Sequence, residues 1–140
     1  MKTSLFQFRL STALISMAII AACIAAVPYV RAHLAIGSLS NDDLTFHANT
    51  FGRMITLEGN AATTLRALGS KSNHELLESL KDRTKFAAAH SLLKEINAEQ
   101  FEKNDRYWSS EMDPLRNLNT YSDDEILELA RFWNRILNDP

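Results

Sequence analysis

Four histidines, one cysteine and a few grouped carboxylates carry whatever acid–base, nucleophilic or metal chemistry this 140-residue chain can offer. His90, in the run Lys85-Phe86-Ala87-Ala88-Ala89-His90, is the most informative of them. An imidazole titrates near neutrality, and helical spacing from Phe86 puts His90 at or beside a packed face. Partnered by Glu75 or Asp82 from a neighbouring helix, it would be oriented as a general base or a ligand. Hydrogen-bonded to another core group it would be structural, and its apolar surroundings favour that plainer role. His74-Glu75-Leu76-Leu77-Glu78 opens like the zinc-protease pattern H-E-x-x-H, but Glu78 stands where the second histidine is needed. His33 and His47 have no partner at ligand spacing, and no cysteine follows Cys23, so no metal or other cofactor is expected. Asp123-Asp124-Glu125 follow Ser122 and are explained by helix capping rather than by cation binding. Tyr107-Trp108, in a turn-rich stretch beside Pro114, is the better candidate for a contact surface; Trp133 falls on a core stripe. No G-x-S-x-G elbow, phosphate-cradling loop or dinucleotide fingerprint is present.

The element that positions everything else is Leu10–Val30, twenty-one residues without a charge. A hydrocarbon core of about 30 Å needs roughly 20 apolar residues at 1.5 Å each. Lys2 and Arg9 precede the run with no acid among them, so the chain is expected to be held by residues 10–30 with its N-terminus cytoplasmic and the remainder translocated. Three fates fit residues 1–32: a retained single-pass anchor, a signal peptide cut after Ala32 with Pro28 breaking the helix, or a lipidated leader. A signal peptide's apolar core usually spans only about 7–15 residues, which favours the anchor.

Ile20-Ala21-Ala22-Cys23 resembles a bacterial lipobox, in which an aliphatic and two small residues precede the cysteine that is lipidated. That resemblance implies Cys23 as the acylated new N-terminus. Ile24-Ala25-Ala26-Val27 continues the apolar run where such proteins carry a polar tether.

Residues 33–41 are expected as a linker, and 42–140 as one helical domain. After Ala32 there are twelve Lys and Arg against seventeen acids, a balance of −5 that disfavours nucleic acid as a partner. Between Asp42 and Gly59 the pattern is ambiguous. Leu44, Ala48, Phe51 and Ile55 form a helical stripe, so a helix is preferred, while 44–57 reads alternatively as a short β-hairpin. Asn60 would cap a helix to Leu68, with Gly69 ending it. Ser72-Asn73-His74-Glu75 and Ser122-Asp123-Asp124-Glu125 both read as capping boxes, the second opening a helix with Ile126, Leu129, Ala130, Trp133, Ile136 and Leu137 inside.

Within 73–97, Glu75–Ile96 resembles a single HEAT-like repeat. Leu76, Leu77 and Leu80 match the first helix, Asp82 the turn acid, and Ala88, Ala89, Leu92, Leu93 and Ile96 the second helix. The turn proline is missing, and Phe86-Ala87 replaces the usual Val-Arg pair. The resemblance covers 22 of 140 residues and implies a scaffold or protein-binding surface. The expectation is therefore a mainly α protein: a transmembrane or signal helix, then a small extracytoplasmic helical domain that contacts another protein. An exported lipoprotein, or a small secreted hydrolase or metal-dependent enzyme using His90, is the alternative.

Overall fold

A computed structural model describes residues 3–49, 52–104 and 120–138. The chain opens with α1, Thr3–Gly37, which is long and apolar enough to cross a membrane and passes through Pro28 without a break. Proline is tolerated inside apolar helices of this kind because neighbouring turns re-satisfy the freed carbonyl. Pro28 therefore does not end the helix, as the signal-peptide reading had it. From Ser11 to Arg31 nearly every side chain of α1 is exposed, including Leu14, Ile15, Met17, Ile20 and Ile24. A helix apolar all round and exposed all round suits lipid rather than water.

The next turns behave differently. Ala32, Ala35, Ile36 and Leu39 are buried in the same cluster as the domain's leucines, and α1 packs on α2 and α3. Residues 33–41 are thus no loose linker. The first half of that segment is helix, and Leu39 is only 2% exposed. Alanine at 32 and 35 lets α1 approach the domain closely.

Beyond a 3-10 turn at Asn41–Asp43, capped reciprocally by Ser40 and Asp43, the chain forms a hairpin rather than the preferred helix. Strands β1 (Leu44–Asn49) and β2 (Gly52–Leu57) pair antiparallel, from Leu44 opposite Leu57 to Asn49 opposite Gly52. Alternation decides the matter. Leu44, Phe46, Ile55 and Leu57 share one face in this register, whereas a helix would spread them round its girth. Leu44 and Leu57 are buried at the base, and Phe46 stands half exposed further out.

The remaining elements are α2 (Asn60–Leu68), α3 (Asn73–Ser79), α4 (Phe86–Ile96), α5 (Ala98–Asn104) and α6 (Asp123–Asn138). The fold is mainly α, with one small two-stranded sheet. Helix α4 is its centre: Phe86, Ala87, Ala88, Ala89, His90, Leu92 and Leu93 are all buried. Its neighbour α6 contributes Ile126, Leu129, Ala130, Trp133 and Ile136, the expected stripe, with Leu137 partly buried beside it. Glu125 and Ser122 form the expected reciprocal cap of α6. Gly69 ends α2 as expected, its φ of +57° letting its amide reach the Leu65 and Arg66 carbonyls.

Two expected caps are not made. Asn60 lies inside α2, with Gly59 at the N-cap. Ser72 does not cap α3, because a 3-10 turn (Gly69–Ser72) delivers the chain already in helical conformation. Its buried hydroxyl donates instead to the carbonyls of Gly69 and Leu65, and Glu75 is engaged elsewhere.

The N-terminus of α4 is closed from a distance. Lys85 at its N-cap makes no side-chain cap bond. Asn41, more than forty residues earlier, supplies what is missing. Its Oδ1 accepts from the amides of Ala87 and Ala88 at 3.0 and 3.1 Å, and its Nδ2 donates to the Arg83 carbonyl at 2.9 Å. Its own amide donates to the Thr84 carbonyl at 2.8 Å. The segment leaving α1 is thereby pinned to the central helix. At the other end, the Asn73 and Asn97 side-chain amides bond reciprocally, holding the start of α3 to the end of α4.

Asn41→Ala strands two first-turn amides and a carbonyl, and is expected to lower stability by about 2–3 kcal/mol. Asn41→Asp keeps the acceptor and should lose roughly 1 kcal/mol. Urea unfolding of both variants, with unchanged m-values, checks the order.

Candidate functional site

His90 lies fully buried at the meeting of α4, α5 and α6. The Trp133 indole N–H donates to its Nδ1 at 2.9 Å, so the neutral ring carries its proton on Nε2. Around the pair, Phe101 stacks on Trp133 with ring centroids 5.5 Å apart, and Phe132 meets the indole edge-on at 5.8 Å. Lys94 sits over the Phe101 ring, 4.9 Å from its centre. Burial pushes the His90 imidazole down to about 3, and the Lys94 ammonium adds to the effect. At neutral pH the ring is an uncharged acceptor for a tryptophan that must bury its N–H.

The carboxylates considered as its partners bond elsewhere. Glu75 Oε2 lies 3.2 Å from Nδ1 of His33, bridging α3 to the last turns of α1. Asp82 Oδ1 accepts from the hydroxyl and amide of Thr84, and those bonds hold its carboxyl below the usual range. An acid–base site built on His90 would need an oriented carboxylate and a path for substrate. The geometry has His90 serving the core instead. Glu78 pairs with Lys81, whose hydrogen bond and charge lower the carboxyl's pKa, and it takes no part with His74 in a ligand set. Among the described residues no group of three or more His, Cys, Asp or Glu side chains is placed to hold a metal ion. Tyr107 and Trp108 lie outside the described residues. Cys23 is an exposed free thiol on α1, within the apolar run.

Two features emerge that sequence reasoning did not single out. One is Phe46, half exposed on the hairpin beyond the buried Leu44 and Leu57. The other is an open cleft of about 290 Å3 between the end of α1 and the start of α2, lined by Arg31, Leu34, Ser38, Asn60 and Thr64 among others. Arg31 was visible as a flanking charge. Asn60 and Thr64 carried no signal, because only tertiary packing brings α2 against α1.

Comparison with protein-family models, curated proteins and solved structures finds no match for this chain.

The buried neutral histidine makes stability depend on pH. Its folded pKa lies below the unfolded value of about 6.5, so the unfolded chain binds the extra proton. The contribution is complete above pH 6.5 and is lost as pH falls from there towards 3. At pH 4.5 the loss amounts to about 3 kcal/mol. His90→Gln, which keeps an acceptor for Trp133, should be less stable at pH 7 yet show a flatter profile between pH 6.5 and 4.5. Denaturant midpoints across that range measure the difference.

Proposed function

We propose that this is a single-pass membrane protein with a cytoplasmic N-terminus, whose helical domain stands on the far side of the bilayer and binds another protein there. Lys2 and Arg9 before the apolar run support that orientation. The observation that carries the anchored reading is the burial of Ala32, at 0% exposure, inside a helical turn packed on the domain. Cleavage after Ala32 would remove a core residue and leave the new terminus, His33, within a packed helix. A diacylated chain starting at Cys23 would keep the core whole but would discard more than half of the apolar run.

The protein-binding role is supported by the hairpin. Phe46 is 50% exposed on a two-stranded sheet whose outer edges pair with no further strand among the described residues. Exposed aromatics and open strand edges are surfaces that partners cover. Helix α4, the second half of the HEAT-like segment, is buried on nearly every side and leaves little face for a partner. The hairpin is therefore the preferred contact surface.

Membranes from cells expressing the native chain give the test. The protein is expected to resist alkaline extraction, to have the intact mass of the unprocessed chain, and to leave mild detergent with a stoichiometric protein that Phe46→Ser releases. A mass starting at His33, or at a diacylated Cys23, would overturn the anchor. A chain that migrates alone in native mass spectrometry would overturn the binding role.

A further inference from the structure

We propose that the cleft between the end of α1 and α2 holds the phosphate of a membrane lipid headgroup, an inference that rests on the anchored reading above. Depth is the first argument. Leu10–Val30 spans about 31 Å as a helix, the thickness of the hydrocarbon layer, which puts Arg31 at its border. From Arg31 to Ser38 the chain rises about 10 Å further, through a headgroup layer roughly 5–8 Å deep on each side. The cleft lies along that rise.

Its chemistry agrees with its depth. The lining has one cation, Arg31, and the neutral polar side chains of Ser38, Asn60 and Thr64, with no carboxylate. Arg31 is exposed and makes no ion pair among the described residues, unlike Arg66 and Arg83, which are engaged with Glu95 and Asp123. The Ser38 hydroxyl already donates to the Ala35 carbonyl at 3.1 Å. That leaves the Arg31 guanidinium with the Asn60 amide and the Thr64 hydroxyl, a set that suits a phosphate diester. Leu34, 69% exposed, lines the same cleft one turn further from the hydrocarbon than Arg31, at the depth of the headgroup. The depth of the cleft favours a lipid phosphate over a soluble anion.

The full chain in a phosphate-free maltoside detergent can be titrated with dihexanoylphosphatidylglycerol below its micelle concentration, following the Ser38 and Thr64 amides by NMR. Saturable shifts are expected at both. Arg31→Gln should weaken the affinity at least about tenfold, as loss of a charge-assisted bond implies. Inorganic phosphate should bind at least about tenfold more weakly than the lipid. Absence of saturable shifts, an unchanged affinity in Arg31→Gln, or equal binding of inorganic phosphate would each overturn the proposal. Failure of the anchored reading is seen separately, as a native mass that starts at His33 or at a diacylated Cys23.

Discussion

The structure depends on the burial of four side chains at and just beyond the end of α1: Ala32, Ala35, Ile36 and Leu39. They convert an apolar helix that would otherwise stand alone into a member of the core. Helix α1 packs there on α2, α3 and the turn between them. Only small residues at 32 and 35 permit so close an approach, because a larger side chain would hold the helices apart. Above this junction α1 is exposed and apolar; below it the chain is an ordinary packed domain. No flexible tether separates the two regimes, so the direction of the apolar helix fixes which faces of the domain turn towards its end.

Other contacts reinforce that junction. Asn41 anchors the chain leaving α1 to the first turn of α4, and His33 reaches Glu75 on α3. The second bond is exposed and adds little, about 1 kcal/mol at most. The first carries more weight, since the amides it satisfies lie at the start of the most buried helix. Helix α4 in turn organises the aromatic cluster. His90 accepts from Trp133, and Phe101 and Phe132 close around the indole. A histidine in this role supplies what a leucine cannot, an acceptor for an N–H that has no water available.

Much of this was legible in the residues, and the failures have physical causes. Periodicity and capping located α6 closely, since sixteen amphipathic residues with a complete Ser122–Glu125 box leave little ambiguity. The hairpin was ambiguous because six-residue strands offer few repeats, and Leu44, Ala48, Phe51 and Ile55 match a helix by chance. The Ser72 cap failed because local patterns do not register a preceding 3-10 turn. The end of α1 was read as linker from Gly37-Ser38 and Ser40-Asn41, although Leu39 among them is a core residue. Asn41 as a remote cap, and Asn60 and Thr64 beside Arg31, were out of reach because each depends on contacts distant in sequence. For the candidate site, the sequence favoured a structural His90 but could not name Trp133, forty-three positions away, as its partner.

The central claim is that the last turns of α1 belong to the domain's core. Hydrogen exchange on the full chain in phospholipid nanodiscs tests it most directly. The account predicts that the amides of residues 32–37 exchange as slowly as those of α4, opening only with the domain as a whole. Exchange there at the rate of an unstructured peptide, while α4 stays protected, would contradict it.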